Sequence, residues 1–317
     1  MDILKEVYSY ICSFDIDYIS WVLWVVYPIL ISFLLPVFIL LFIFLSSFML
    51  FIYKQRMKLR AAYVHDFWEG ARKTLSAFWI AQARIWHGYE IEGLENIPVS
   101  GPALIIYYHG TLPVDMYYVV SSLILEKDRQ VHLVGDKFLF HIPGWQTLME
   151  VCKVTTGTVS SCVEVLRNGH ILSIAPGGVR EALFGDETYS LMWNQRSGFC
   201  KVALQANVPI IPMFTVNIRE AFRTPGWARD WLRGFYEKTR LPLVPIYGFF
   251  PVKLKTVFGE PIRPDPNSTP EELAAVVRTG IRSLIKHHQR CPGSILHALL
   301  DRFPFFRSKC RLSEAAS

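Results

Sequence analysis

"ALIIYYHGTLPVDMYYVVSSLILE", residues 103–126, passes from one structural period to another through a short polar hinge. The opening "ALIIYY" (103–108) is a short apolar run bounded by turn signals, which reads as a buried strand. "LPVDMYYVVSSLILE" (112–126) reads as a helix, with Thr111 placed to cap it and Pro113 in its first turn, where a missing N–H is no loss. Strand, loop and helix in this order form the unit from which parallel sheets are built.

The same texture recurs downstream. "VHLVG" (131–135), "HILSIAP" (170–176) and "VPIIPMF" (208–214) read as strands. "VSSCVEVLRNG" (159–169) reads as a helix that ends at Gly169, a residue suited to the left-handed position beyond a C-cap. "TPEELAAVVRTGIRSLIKHHQR" (269–290) is a late helix, with Thr269 capping ahead of Glu271 and Glu272. The succession predicts an α/β domain over residues 89–290, with a mixed, largely parallel sheet and flanking helices. A chain of 317 residues has room for it and for a substantial core.

Ahead of that domain, residues 18–53 carry no charged side chain: "YISWVLWVVYPILISFLLPVFILLFIFLSSFMLFIY". A spanning helix needs about 20 apolar residues, and a soluble core helix would not stay uncharged on every face for so long. The flanking "MDILKEVYSYICSFDID" is net negative, unlike the basic start of a signal peptide. As a straight helix the stretch would measure roughly 54 Å at 1.5 Å per residue, well beyond a hydrocarbon core of about 30 Å. Two minimal spans nearly fill it, and Pro28 and Pro36 could break it, so a transmembrane helical hairpin is expected. The alternative is one long tilted helix.

"KQRMKLR" (54–60) comes directly after it, and short basic flanks stay on the cytoplasmic side, which places the α/β domain in the cytosol. Residues 1–53 hold Lys5 against Asp2, Glu6, Asp15 and Asp17, net −3, so of the formal net charge of +6 the residues beyond position 53 carry +9. A basic domain tethered to a bilayer suits anionic head groups or phosphate-bearing substrates, and nucleic acid is set aside as a partner because the membrane already accounts for the charge. The cysteines at 12, 152, 162, 200, 291 and 310 form no CxxC pair or Cys/His pattern, so no metal site is expected. Five segments result: a short N-terminal piece (1–17), the membrane segment (18–53), a juxtamembrane helix that continues from the membrane or covers the core (54–88), the α/β domain (89–290) and a tail (291–317).

Two stretches carry chemistry. A sheet of this class places reactive groups at the carboxyl ends of its strands, and His109 lies at such an end. Histidine suits proton abstraction near neutral pH, and Asp115 could hold the imidazole in one tautomer. No GxSxG supplies a serine nucleophile, which suggests a base acting on a substrate hydroxyl. The plainer reading is a polar pair punctuating a turn. In "SIAPGGVREALFG" (173–185) a strand feeds Gly177 and Gly178, whose amides could face an oxyanion or phosphate beside Arg180. A tight strand-to-helix turn would look the same. Between Arg219 and Phe258, Trp227, Trp231, Phe235 and Tyr236 mix with Arg223, Arg229, Arg233 and Lys238, which suits either a head-group boundary or aromatic packing beneath a charged face.

Taken together, "HGTLPVD", "PGGVREAL" and "VPIIPMF" resemble the ordered blocks of the glycerophosphate and lysophospholipid acyltransferase superfamily. The Gly-Gly form of the second block resembles the diacylglycerol acyltransferase type-two branch and the plant phytyl ester synthases. The resemblance runs from about residue 17 to 300 and includes "DFWEGARKT", "WHGYEIEG" and "FPVKLKTVFGEPI". It implies that His109 deprotonates an acceptor hydroxyl with Asp115 orienting it, that the hydroxyl attacks an acyl thioester, and that Gly177, Gly178, Arg180 and Glu181 serve the oxyanion or the acyl donor. It also implies an endoplasmic reticulum membrane, a multi-pass anchor, a cytosolic site and no cofactor beyond the donor substrate, acyl-CoA or another acyl-lipid.

The chain departs from the superfamily in three places. Gly110 to Val114 separate His and Asp by five residues instead of four, Gly177 stands where a Glu usually follows the proline, and "VTTGTVSSCVEV" (154–165) lacks the Arg that glycerol-phosphate acceptors need. The expected acceptor is therefore neutral: diacylglycerol, with monoacylglycerol or a fatty alcohol as relatives. A lipid hydrolase and a non-catalytic lipid-binding scaffold are the alternatives.

Overall fold

The computed structural model describes residues 5–6, 18–58, 68–239 and 241–303. Helix α1 (Tyr18–Lys58) precedes α2 (Glu69–His87). The domain then runs β1 (Glu90–Glu92), β2 (Ala103–Tyr107), α3 (Val114–Lys127), β3 (Val131–Gly135), α4 (Gln146–Val151), β4 (Val154–Thr156), α5 (Val159–Arg167), β5 (Ile171–Ile174) and α6 (Gly178–Phe184). It continues through α7 (Gly198–Ala206), β6 (Ile210–Val216), α8 (Ile218–Ala221), β7 (Phe222–Arg223), α9 (Arg229–Thr239), β8 (Tyr247–Gly248), β9 (Lys255–Phe258), α10 (Pro270–His288) and α11 (Ile295–Leu300).

Seven strands form one sheet in the order β1-β9-β6-β2-β5-β3-β4, parallel throughout except where β6 meets β9. The expected mixed, largely parallel sheet is thus present. β2 lies at its centre, with Leu104 in register with Leu172 of β5 and Ile210 of β6. All five β2 residues are buried because both faces are covered. Leu104 and Ile106 join the core beneath α5, α7 and α10, while Ala103, Ile105 and Tyr107 join the one built with Met116, Val119 and Leu123 of α3.

Caps follow the sequence at α10, where Thr269 and Glu272 form a reciprocal capping box, and at Gly169, whose φ of 83° is left-handed. They differ at α3. Pro113 is its N-cap, and Thr111 is buried among other partners instead of capping.

The expected hairpin is not formed. α1 is one continuous helix that contains both Pro28 and Pro36, and within it Ser20–Tyr53 is long and apolar enough to cross a membrane. The physical reason is visible in the sequence: no polar or glycine turn separates the halves, so the backbone keeps its internal hydrogen bonds. Up to Ile31 the described side chains are exposed all round. Beyond it one stripe, Pro36, Ile39, Ile43, Ser46, Ser47 and Leu50, is buried at helical spacing against the domain, while Val37, Leu41, Phe44 and Phe48 stay exposed. Phe33 packs on Tyr247 of β8 and Phe44 on Trp145, with ring centroids 5.7 and 6.0 Å apart.

Of the two readings for the juxtamembrane helix, α2 takes the covering one. Its Leu75, Trp79 and Ala83 are buried, and the Trp79 ring stacks on Tyr117 of α3 at 4.7 Å. The cationic run reaches past Lys58 outside the described residues, as do most of the N-terminal piece and the tail beyond Phe303.

Candidate active site

β5, β2 and β6 are neighbours and parallel, so their carboxyl ends open at one edge of the sheet. Three segments that are distant in sequence meet there: His109 after β2, the Gly177–Gly178 turn after β5, and Arg219 after β6.

His109 is half-buried. Its Nδ1 lies 2.6 Å from the carbonyl oxygen of Gly110. A carbonyl can only accept, so Nδ1 carries the proton and Nε2 is left as the ring's acceptor. Burial, with the Arg219 charge adding to it, pushes the imidazole down to about 4 against the pull of the Gly110 carbonyl. The ring is therefore neutral at pH 7, in the form that takes up a proton.

Asp115 does not hold it. The carboxyl is fully buried in the first turn of α3 and shares no hydrogen bond with His109. It faces the Thr215 hydroxyl and the amides of its own residue and Met116 without a bond of full geometry, and burial pushes it up to about 7. With Pro113 as the N-cap, Asp115 falls in the first turn of α3, and its carboxyl makes no hydrogen bond to the ring.

Glu181 is the acid that reaches the histidine loop. Its Oε1 accepts from the His109 amide at 2.9 Å and its Oε2 from the Met192 amide at 3.0 Å. Burial pushes the carboxyl up to about 7, against the pull of those amides and of Arg219. A Cβ on Gly177 would stand 2.4 Å from Glu181 Cβ and Cδ and 2.5 Å from Oε2. The glycine that replaces the superfamily's Glu thus opens the space that the Glu181 carboxylate fills, one helical turn further along.

Gly178 takes a left-handed φ of 53°, and its amide is spent on the Ala175 carbonyl at 3.1 Å. The carbonyls of Pro176 and Gly177 accept from Arg196 Nη1 at 2.8 and 3.0 Å. Arg180 pairs with Glu237 of α9 at 3.5 Å. His109, Gly177 and Glu181 are therefore brought together, with Gly178 at the adjoining turn, whereas Arg180 is paired with Glu237 and Asp115 makes no hydrogen bond to the ring.

Arg219 is a residue of this candidate site that the sequence does not single out. It is buried, and its guanidinium donates to the carbonyls of His109, Glu181, Ala182 and Gly185 and to the hydroxyls of Tyr108 and Thr111. One side chain thereby ties the loop after β2 to the segment after β5. The available signal is an Arg shortly past an apolar strand, and nothing in "TVNIREAF" marks it as buried.

The Acyltransferase family model matches residues 88–216, a span that holds His109, Asp115, Gly177 and Glu181. A human relative, "DGAT1/2-independent enzyme synthesizing storage lipids", is 49% identical over 288 residues, covering 91% of this chain and 88% of its own length. This chain belongs to the acyltransferase family. A chicken protein of the same name is 48% identical, over 90% of this chain and 87% of its own. Phytyl ester synthase 2 of Arabidopsis thaliana is 32% identical over 41% of this chain and 20% of its own. In fold the acyltransferase is similar to the 1-acyl-sn-glycerophosphate acyltransferase PlsC of Thermotoga maritima, with a TM-score of 0.53, 18% identity, and coverage of 78% of this chain and 96% of that one.

Proposed function

We propose that this acyltransferase esterifies the hydroxyl of a neutral lipid, chiefly diacylglycerol to triacylglycerol, with monoacylglycerol and fatty alcohols as related acceptors. The observation that carries the reading is a neutral His109 at a strand end, its Nδ1 proton fixed on Gly110 and Nε2 left to accept. The name of the human and chicken relatives, enzymes synthesizing storage lipids, supports the substrate class.

In this mechanism Nε2 takes the acceptor's proton as its oxygen attacks the acyl carbonyl of the donor, acyl-CoA or another acyl-lipid. Collapse of the tetrahedral intermediate expels the thiolate, or the alkoxide of a lipid donor, which recovers the proton from the imidazolium. The backbone at Gly177 and the charge of Arg219 serve the oxyanion, and Glu181 keeps the His109 loop in register. The Gly110 carbonyl does the orienting expected of Asp115. No cofactor is required. α1 anchors the enzyme in the endoplasmic reticulum membrane with the site cytosolic.

Membranes from cells stripped of their own triacylglycerol-forming enzymes test this. Wild type or His109→Ala is supplied with labelled acyl-CoA and diacylglycerol or a fatty alcohol. Label in neutral ester with the wild type alone is expected. Equal products from both proteins would overturn the base assignment, and label in free fatty acid alone would make the protein a hydrolase.

A further inference from the structure

The aromatic stretch after Arg219 divides in the structure. Leu232 and Tyr236 of α9 are buried with Ala228 against Ala182, Leu183 and Phe184 of α6. Trp227, Trp231 and Phe235, four residues apart, form a second stripe that faces outward, with Trp227 92% and Trp231 73% exposed. The Trp231 and Phe235 rings stack, with centroids 6.5 Å apart. A helix at a water boundary keeps its outer face polar, and a contiguous aromatic stripe there marks a contact surface.

Its occupant is indicated by what adjoins it. From α9 the chain runs through exposed Leu241 and Leu243 to Tyr247, whose ring packs on Phe33 of α1. Around Phe33 the outward face of α1 is apolar, with Ile31, Leu34, Val37 and Phe38 exposed. The two exposed surfaces are thus linked by one short segment. Tryptophan favours the boundary between acyl chains and head groups, and the exposed Arg233, Glu237 and Lys238 on the flank of α9 suit the head-group layer.

We propose that Trp227, Trp231 and Phe235 seat the catalytic domain on the same bilayer that holds α1. The inference rests on the membrane reading of α1 and goes beyond it, because it fixes which side of the domain lies on lipid. Since α9 packs on α6 and Glu237 pairs with Arg180, docking would hold the Gly177 turn at the bilayer surface, where a neutral lipid arrives from the membrane.

The test places p-benzoylphenylalanine singly at positions 227, 231, 41 and 99 of the full-length protein in microsomes that contain radiolabelled phosphatidylcholine. Leu41 reports α1. Val99, 80% exposed before the amino end of β2, reports the opposite edge of the sheet. After irradiation, positions 227, 231 and 41 should each carry at least fivefold more lipid label than 99. Label at 41 with none at 227 and 231 overturns the docking surface while leaving the anchor in place. Absence of label at 41 overturns both. Adducts at 227 and 231 that are protein rather than lipid assign the stripe to another partner and also overturn the proposal.

Discussion

Gly177→Ala separates a packing requirement from a backbone one. The glycine's φ and ψ of −67° and −33° are ordinary helical values, so alanine meets no conformational barrier and should gain about 0.4–1 kcal/mol by restricting the unfolded chain. Space is the obstacle, because the new Cβ would lie 2.4 Å from Glu181 Cβ and Cδ. Carbon atoms rest about 3.5–4 Å apart, so Glu181 has to retreat by roughly 1 Å or more. Overpacking of this kind costs about 1–3 kcal/mol, and the retreat pulls the carboxylate off the His109 and Met192 amides, bonds to a charged acceptor worth about 1.5–3 kcal/mol each. With both bonds lost and the backbone gain subtracted, a net loss of about 3 kcal/mol or more is expected. At about 2–4 °C per kcal/mol for a domain of this size, the midpoint should fall by about 6 °C or more. Turnover should fall about tenfold or more, since ~1.4 kcal/mol of lost positioning is a factor of ten. The assay is thermal unfolding of the full-length protein in detergent, beside acyl transfer at a matched protein amount. Gly198→Ala is the control, since its Cβ would enter open space. A Gly177→Ala protein with wild-type midpoint and turnover would refute the claim that Glu181 fills the glycine's space.

Asp115→Asn should keep turnover within about tenfold of wild type, because Asp115 makes no bond to His109; a loss beyond a thousandfold would show that the pair forms during turnover. The same variant has a pH signature. With its folded value raised from 3.8 to about 7, Asp115 contributes stability that is present below pH 4 and lost as pH rises through 7, so wild type should lose more of its midpoint than the Asn variant between pH 5 and 8. His109 has the opposite sign: with its folded value lowered to about 4, it contributes stability lost as pH falls from about 6.5 toward 4, and kcat should stay flat on the acid side until pH approaches 4. An acid limb centred near 6.5 in the pH–rate profile would refute the buried neutral ring. Asn267-Ser268-Thr269 is a glycosylation sequon on an exposed turn before α10, and in a cytosolic domain it should show no endoglycosidase-sensitive mass shift that Asn267→Gln removes.

The strands, the principal helices and the position of His109 are legible because each depends on local order: apolar runs for buried strands, 3.6-residue spacing for helices, and a polar residue where a run stops. The long apolar segment is legible as an uncharged stretch, but its shape is not. Two prolines suggest a break, yet without turn residues between the halves the helix persists through both. Asp115 illustrates a second limit: it shares no hydrogen bond with His109, and spacing alone does not report which side chains meet.

By itself, the sequence determined the order of elements, the long apolar segment and the residue types available for acyl transfer, because these are set by neighbours in the chain. Only the tertiary structure decided which of those residues meet. The parallel register of β5, β2 and β6 brings their carboxyl ends to one edge, so His109, Glu181 and Arg219 share hydrogen bonds across long loops. Whether Glu181 can reach the His109 amide depends on the missing side chain at Gly177, and whether Arg219 clamps the site depends on its burial. Both are properties of packing in three dimensions, which no local pattern encodes.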